Sequence, residues 1–255
     1  MAIKKVIHCS DIHIKNLLRH DEYAEQLTRF IEKCKEISEP YEKEELRIVV
    51  AGDLIDQKNN ITPELITFVS TFIRELEEIA QVIVIAGNHD LIVNNLSRKD
   101  AISSIFETAA FQNSYLLDME LNYQSGCVVD DNITWCLYSI FDNFNQPNII
   151  ETQHEHPNNK MIGLYHGMII GSMLYNGNIV DSGVQGELFE GCDCVMAGDN
   201  NVNTLLEFKY KRKIKADDGE NGKTKKCYGR KKCIKSKKRR KIWINQFKRK
   251  TNFKL

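Results

Sequence analysis

The sequence contains no run of 18 apolar residues, and its first residues, Met-Ala-Ile-Lys-Lys, do not lead into the short apolar region of a secretory signal. The first absence argues against a membrane-spanning helix, and the second argues against secretion. We therefore expect a soluble, cytoplasmic protein without a membrane partner. Its 255 residues, 42% of them hydrophobic, suffice for one α/β domain with a substantial core and an appendage.

The cysteines do not indicate a disulfide scaffold. All eight are spread through the chain rather than concentrated in a small secreted domain, so reduced thiols are expected. Neither the pair Cys192 and Cys194 nor the pair Cys227 and Cys233 has the spacing of a standard zinc site.

Basic residues are scarce in most of the chain and abundant at its end. Residues 1–208 carry 14 basic and 32 acidic side chains, a net charge of −18, whereas residues 209–255 carry 21 basic and 3 acidic ones, a net charge of +18. We therefore expect a folded domain over residues 1–205 and a basic, weakly structured or disordered tail over residues 206–255.

Apolar runs alternate with helical patterns in the first half of the sequence. Continuous apolar segments predict strands at residues 4–9, 46–51 and 81–86. Apolar residues at helical spacing predict a helix over residues 21–37, and Thr62 followed by Pro63 predicts the start of another. This alternation is typical of an α/β sheet.

The second half is expected to be mostly strand. Ser97 with Asp100 three residues later resembles a capping box and predicts a helix to about residue 111. Short strand-like segments separated by turns follow over residues 114–141, and further strands are predicted at residues 160–165 and 192–197.

Polar motifs directly follow the predicted strands. The first three are Ser10-Asp11-Ile12-His13, Gly52-Asp53-Leu54-Ile55-Asp56 and Gly87-Asn88-His89-Asp90, and two later strands end in His166-Gly167 and Gly198-Asp199. Strand ends in an α/β sheet deliver side chains to one crevice. Carboxylate, amide and imidazole groups that converge there predict a two-metal phosphoesterase site.

The chemistry of each side chain suggests its role in such a site. Asp11 and His13 could point at one ion, and Asp53 could bridge two ions with its two oxygens. Asn88 would add an amide oxygen, and His166 and Asp199 would contribute to the shell of the second metal.

His89 would face the substrate as a general acid, and Asp90 would orient its imidazole and raise its pKa. A single His or Asp after a strand is more often an ordinary turn or capping residue. The conjunction of all the motifs, in order and at strand ends, favours the metal site.

The order D-x-H, GDxxD, GNHD and a later His resembles the calcineurin-like metallophosphoesterase superfamily, over residues 4 to about 199. Within it, residues 10–16 with Arg19-His20, residues 95–101 and Tyr165-His166-Gly167 are similar to SbcD-type DNA repair nucleases. The resemblance implies a four-layer α/β/β/α sandwich with two mixed sheets.

The same resemblance implies a nuclease of DNA repair or recombination that cuts phosphodiesters with two divalent metal ions, Mn²⁺. The matching metal ligands are Asp11, His13, Asp53, Asn88 and His166, and His89 matches the catalytic histidine. DNA, a Rad50-like ATPase of the SMC type and a second copy of the chain are the implied partners.

The sequence departs from the family in its last motif, which should end in histidine where this chain has Asn201. No histidine follows His166 in the sequence, so we expect weaker metal binding and activity. The family would continue into further core strands after this motif, whereas this chain passes into Lys-rich sequence, so we expect a truncated sandwich. A frameshift or aberrant gene end from about Asn200 is one explanation. A functional in-frame extension is the rival.

In that rival, the tail would bind DNA phosphates through basic residues that include Lys237, Lys238, Arg239 and Arg240. Arg19 and His20 are the candidate nucleic-acid contacts of the domain. The alternative is a solvated tail without a function. Two other functions stay open, a phosphatase or small-molecule phosphodiesterase of the same superfamily and an inactive nucleic-acid-binding protein.

Overall fold

The computed structural model describes residues 2–16, 19–56, 61–91, 99–173 and 178–199. These residues form two four-stranded sheets with helices. The basic tail predicted over residues 206–255 lies outside the described residues, as does the predicted end of the domain at residue 205.

The first sheet is entirely parallel, with its strands side by side in chain order. They are β1 (Lys5–Cys9), β2 (Leu46–Ala51), β3 (Gln81–Ile85) and β4 (Ser114–Leu116). Nearly every residue of β1, β2 and β3 is buried. This burial on both faces explains why the strands appear in the sequence as continuous rather than alternating apolar runs.

Three helices cover one face of this sheet: α1 (His20–Ser38), α2 (Pro63–Glu77) and α3 (Ala101–Ala109). Thr62 caps α2 as predicted, its hydroxyl accepting the N–H of Leu65 at 3.4 Å. The start of α3 differs from the prediction. Asp100 is itself the N-cap, and its carboxylate accepts the N–H of Ser103 at 2.7 Å.

The second sheet is mixed. Its strands, in spatial order, are β5 (Gly126–Asp130), β6 (Ile133–Tyr138), β7 (Lys160–His166) and β8 (Cys194–Gly198). β5 and β6 form an antiparallel hairpin, and the other pairs are parallel. A short helix α4 (Leu117–Glu120) follows β4, and α5 (Ile149–Glu155) lies between β6 and β7 in the chain.

The two sheets pack against each other through buried residues such as Val49, Ile83, Trp135 and Leu164. A separate apolar cluster, which includes Ile149 of α5, covers the outer face of the second sheet. The order of layers is therefore α/β/β/α, which confirms the predicted α/β sandwich with two sheets. The prediction that both sheets are mixed is wrong for the first one, whose described strands are all parallel because each pair is joined by a helical crossover or a longer connection. No helix in the described ranges is both long and apolar enough to cross a membrane.

Candidate metal centre

The loops that follow β1 and β2 are joined by backbone hydrogen bonds. The N–H of Asp11 donates to the carbonyl of Gly52 at 3.1 Å, and the N–H of His13 donates to the carbonyl of Asp53 at 2.9 Å. These bonds extend the pairing of the parallel strands beyond their ends. The first two motifs therefore lie side by side, as the strand-end argument predicts.

Asp53 lies between two histidines that come from different sheets. Its Oδ1 is 3.3 Å from Nε2 of His166, and its Oδ2 is 3.4 Å from Nε2 of His13. The Asp53 side chain is only 1% exposed. One buried carboxylate thus faces a different imidazole with each oxygen, which is the arrangement required of a bridging ligand.

Around Asp53 the candidate ligands form two groups, in each of which the ligand atoms all lie within 4.8 Å of one another. One group consists of Asp11, Asp53 and His166, and the other of His13, Asp53 and His89. Asp11 and His13, which we expect to face one ion, belong to different groups, although Nε2 of His13 also lies 4.0 Å from Oδ1 of Asp11. The structure also brings His89, predicted to face the substrate, within ligand distance of Asp53 and His13.

Four of the predicted ligands have an unusual backbone. Asp11, His13, Asp53 and Asp199 have φ angles of 57°, 51°, 54° and 57°, in the left-handed region that few non-glycine residues occupy. Such conformations carry a local energetic cost and cluster at functional sites. In each case the surrounding structure must hold a loop in the one shape that directs the carboxylate or imidazole inward.

Three glycines allow the backbone to approach these side chains closely. A Cβ atom on Gly52 would lie 2.2 Å from Nδ1 of His166, and one on Gly198 would lie 2.4 Å from the same atom. On Gly87 it would lie 2.3 Å from Oδ1 of Asp53. The glycine of each motif is therefore required by packing against the ligand set.

The His166 imidazole is fixed at both nitrogens. Nδ1 lies 2.8 Å from the carbonyl of Ala51, and Nε2 lies 3.0 Å from Oδ1 of Asn88. Burial favours the neutral imidazole and so lowers the pKa of His166. Hydrogen bonding to Asp53 and the charges of Asp53 and Asp11 outweigh this effect, and together they raise the pKa of His166 to about 9. Burial likewise opposes the charge on Asp53, yet the contact with His166 lowers the pKa of that carboxyl.

The donor set suits two divalent cations. Imidazole nitrogens, carboxylate oxygens and one amide oxygen converge in a buried crevice, a mixture suited to first-row divalent cations. Burial of several carboxylates close together is unfavourable without compensating positive charge, which such ions would supply. The residues therefore fit the metal pair that the sequence predicts.

Residues 4–189 match the family model of the calcineurin-like phosphoesterases. The chain belongs to this family. The superfamily inferred from the motifs is thereby confirmed, and this membership suggests metal-dependent phosphoester hydrolysis.

One relative of the phosphoesterase is an uncharacterized protein, R555, of Acanthamoeba polyphaga mimivirus. The two are 36% identical over 209 residues, an alignment that covers 77% of this chain and 14% of the viral protein. The chain therefore spans about a seventh of the length of that relative.

A second family model, that of the GTP1/OBG proteins, matches residues 180–235. The GTPase Obg of Clostridium botulinum is 51% identical over 45 residues, covering 18% of this chain and 10% of that protein. Obg of Malacoplasma penetrans is 51% identical over 41 residues, covering 16% of this chain and 10% of that protein. A region read in a shifted frame should not resemble a protein family, so the match counts against a frameshift as the source of residues 200–235.

In the phosphoesterase site, Asp90 has a different position from the one we predicted. Its Oδ2 accepts the N–H groups of Asp53 and Gly87, each at 2.9 Å, and its Oδ1 accepts the N–H of Ile55 at 3.0 Å. Nδ1 of His89 instead lies 3.0 Å from the carbonyl of Asp56. Asp90 therefore positions the backbone of two motifs rather than the His89 ring.

Asp56 is a site residue that the sequence reasoning missed. Its Oδ1 lies 3.6 Å from Nδ1 of His13, and its Oδ2 lies 3.5 Å from Nζ of Lys15. Together with its carbonyl contact to His89, Asp56 touches both imidazoles of one ligand group. The available signal was its place at the end of the Gly52–Asp56 motif, in which we had assigned a role to Asp53 alone.

Asp199 reaches the site through its backbone. Its N–H donates to both oxygens of Asp11, at 3.0 and 3.2 Å. Burial raises the pKa of its carboxyl, and the neighbouring charges of Asp11 and Asp53 act in the same direction. Asn201, which replaces the expected histidine, lies outside the described residues.

The predicted nucleic-acid contacts are only partly described. The guanidinium of Arg19 forms an ion pair with Glu22, and Nε2 of His20 lies 2.8 Å from the carbonyl of Lys15. The ring of His20 also stacks on Phe68. The four tail residues Lys237, Lys238, Arg239 and Arg240 lie outside the described residues.

Proposed function

We propose that this phosphoesterase hydrolyses phosphodiester bonds of DNA with two divalent ions, Mn²⁺, for which Asp53 would be the shared ligand. The observation that carries the proposal is the position of Asp53 between His13 and His166, with a different oxygen toward each imidazole. A bridging carboxylate of this kind distinguishes a two-metal hydrolytic site from a single-ion site.

Asp11, His13, Asn88 and His166 would hold the pair together with Asp53, which would be the shared ligand. When bound, the ions polarise a phosphoryl oxygen and lower the pKa of water. Asp199 lies beside Asp11 and is the remaining carboxylate that could join the set. The absent last histidine lowers affinity and turnover in this proposal, because an imidazole ligand is lost.

His89 is the proposed general acid. Its backbone N–H donates to Oδ1 of Asp53 at 2.8 Å, and its ring lies edge-on to that of His13, with centroids 4.8 Å apart. Its Nδ1 contact with the Asp56 carbonyl directs the opposite edge of the ring away from that loop. A proton held on Nε2 would then serve the leaving oxygen of the phosphodiester.

DNA is favoured as the substrate by the similarity of residues 10–20 and 95–101 to repair nucleases and by the basic composition of residues 209–255. A smaller phosphodiester or phosphomonoester is the second candidate. It is favoured by the contacts of Arg19 with Glu22 and of His20 with Lys15, since both side chains already have protein partners.

The function is tested by incubating linear DNA with the full chain and Mn²⁺, in parallel with a small phosphodiester such as bis(p-nitrophenyl) phosphate. We expect DNA degradation that EDTA abolishes and that His89→Ala and Asp53→Ala reduce by at least about 100-fold. The matched control is His154→Ala, since His154 is exposed on α5, and it should leave the rate unchanged. Degradation that survives Asp53→Ala would refute the mechanism, and turnover of the small substrate alone would favour the second candidate.

The partners are a further part of this proposal. We infer that the chain forms a homodimer and acts in the cytoplasm with a Rad50-like ATPase of the SMC type, as the resemblance to repair nucleases implies. Light scattering on the purified chain should give twice the monomer mass of 29.5 kDa. A monomer at all concentrations would remove the dimer from the proposal.

Binding of DNA by the tail can be tested separately. Exchange of Lys237, Lys238, Arg239 and Arg240 for glutamine removes four positive charges and should reduce both DNA affinity and its dependence on salt. If neither quantity changes, the inactive-binding-protein alternative loses its basis, because the tail would not be the DNA-binding element.

A further inference from the structure

Three cysteines lie together on the outer face of the second sheet. Cys127 of β5 is directly opposite Cys136 of β6 in the antiparallel hairpin. Their Sγ atoms are 3.6 Å apart. Both belong to the apolar cluster under α5, which also contains Cys192.

The sequence places the third thiol next to this pair by means of a glycine. Gly163 of β7 is the register partner of Cys136, so no side chain occupies the next position across the sheet. Sγ of Cys192 fills this place, and a Cβ atom on Gly163 would lie only 3.3 Å from it. The hydroxyl of Tyr138 contacts the same sulfur at 3.6 Å.

The three thiols differ in access. Cys136 and Cys192 are fully buried, whereas Cys127 is partly exposed on β5, an edge strand among the described residues. Hydrogen bonding with Cys136 lowers the pKa of Cys127 and raises that of Cys136. A small reagent from solvent therefore meets Cys127 first, and Cys127 is the thiol of this pair whose ionisation to the reactive thiolate is favoured.

We propose that Cys127 and Cys136 are a reversible dithiol site that a small disulfide of the glutathione class oxidises to a cross-strand disulfide. The Sγ separation must shorten from 3.6 Å to about 2.05 Å, which rotation of the two side chains can achieve because the residues are direct cross-strand neighbours. The site is independent of the metal centre and of the phosphoesterase function.

The reaction proceeds in two exchange steps. The Cys127 thiolate attacks one sulfur of the small disulfide, which forms a mixed disulfide and releases one small thiol. Cys136 then gives up its proton and attacks Sγ of Cys127, which forms the protein disulfide and releases the second small thiol. Two protein thiols are oxidised and one small disulfide is reduced, with the two protons transferred to the released thiolates.

The proposal is tested by exposing the reduced full chain to oxidised glutathione, alkylating the remaining thiols and mapping peptides by mass spectrometry. No Lys or Arg lies between residues 127 and 136, so trypsin leaves both cysteines in one peptide. Cleavage at Asp130 and Asp131 by an Asp-specific protease separates them. We expect a cross-linked pair of peptides that dithiothreitol converts back to free thiols, distinct from any product of Cys227 and Cys233.

Three variants make the outcome specific. Cys136→Ser should stop at a mixed disulfide of glutathione on Cys127, and Cys127→Ser should lose both that adduct and the cross-link. Cys194→Ser is the control, because Cys194 packs between the two sheets, and it should cross-link like the wild type. Wild-type protein that accumulates the adduct on Cys127 without the link to Cys136, or in which Cys127 stays unmodified, would overturn the proposal.

Discussion

Asp90 holds Asp53 in place, since the N–H of Asp53 donates to Oδ2 of Asp90 at 2.9 Å. The same carboxylate accepts the N–H groups of Ile55 and Gly87, so it joins the loops after β2 and β3. The left-handed turn at Asp53 therefore depends on a residue that is completely buried. Asp90 therefore helps to fix the positions of the candidate metal ligands.

This relationship predicts the effect of Asp90→Asn. An amide has one acceptor oxygen and directs donor hydrogens at backbone N–H groups, so at least one buried hydrogen bond is lost. We expect the free energy of unfolding to fall by about 1–3 kcal/mol and Mn²⁺ affinity to fall about 10-fold or more. Urea unfolding and calorimetry measure both, with the exposed Asp181→Asn as control. Unchanged Mn²⁺ affinity would show that Asp90 does not position the ligands.

Gly52→Ala and Gly171→Ala form a matched pair of substitutions. The two glycines have φ angles of 79° and 83°, so both variants incur similar backbone strain. The new methyl group at position 52 meets Nδ1 of His166 at 2.2 Å, whereas no atom of the described residues lies within 4 Å of the one at position 171. We expect Gly52→Ala to abolish metal-dependent hydrolysis and Gly171→Ala to retain it. Equal activities of the two purified variants would contradict this account of the packing.

Asp118→Asn should change how stability depends on pH. Burial raises the pKa of Asp118 to about 6, even though Ser139 and the N–H of Ala86 donate hydrogen bonds to it. The folded protein binds the proton of the Asp118 carboxyl group more tightly than the unfolded chain does. The contribution of Asp118 to stability therefore falls as pH rises from about 4 to about 6.

The asparagine variant does not titrate. It can keep both contacts when its amide oxygen accepts the N–H of Ala86 and its NH2 group donates to the Ser139 hydroxyl. Relative to this variant, the wild type should therefore lose about 3 kcal/mol of unfolding free energy between about pH 4 and pH 7, an order-of-magnitude value. Urea unfolding at the two pH values measures the change. If the difference in unfolding free energy between the wild type and Asp118→Asn does not change with pH, Asp118 is not the source of the pH dependence.

His8→Leu should stabilise the protein, most strongly in acid. Burial lowers the pKa of His8 to about 4, and among the described residues its Nε2 has no hydrogen-bond partner. The unfolded chain takes up a proton below about pH 6.5 that the folded protein rejects, so wild-type stability falls as pH decreases from there to about 4. We expect the gain from leucine to be about 2 kcal/mol larger at pH 5 than at pH 7.5. A loss of stability at both pH values in thermal unfolding would contradict this prediction.

Much of the fold was predictable because its strands are buried on both faces. The prediction of residues 46–51 as a strand matches β2, and the helix predicted over residues 21–37 differs from α1 by one residue at each end. The prediction of residues 192–197 was less accurate, since β8 begins only at Cys194. Cys192 is buried and apolar without being a strand residue, so hydrophobicity alone did not mark the boundary.

The site was less predictable than the strands. Motif positions indicated which side chains converge, but not that Asp11 and His13 both adopt left-handed φ angles. Sequence spacing does not specify that conformation. Nor could it indicate that both oxygens of Asp90 accept backbone N–H groups, because that arrangement depends on two loops 35 or more residues apart in the chain.

The most direct test of the two-metal centre is a calorimetric titration of the metal-free full chain with Mn²⁺, compared with Asp53→Asn. Asp53 faces both ligand groups, so the account predicts two Mn²⁺ ions per wild-type chain and weakened binding of both in the variant. Binding of no Mn²⁺ by the wild type, or the same two ions with unchanged affinity in Asp53→Asn, would contradict the assignment of Asp53 as the shared ligand.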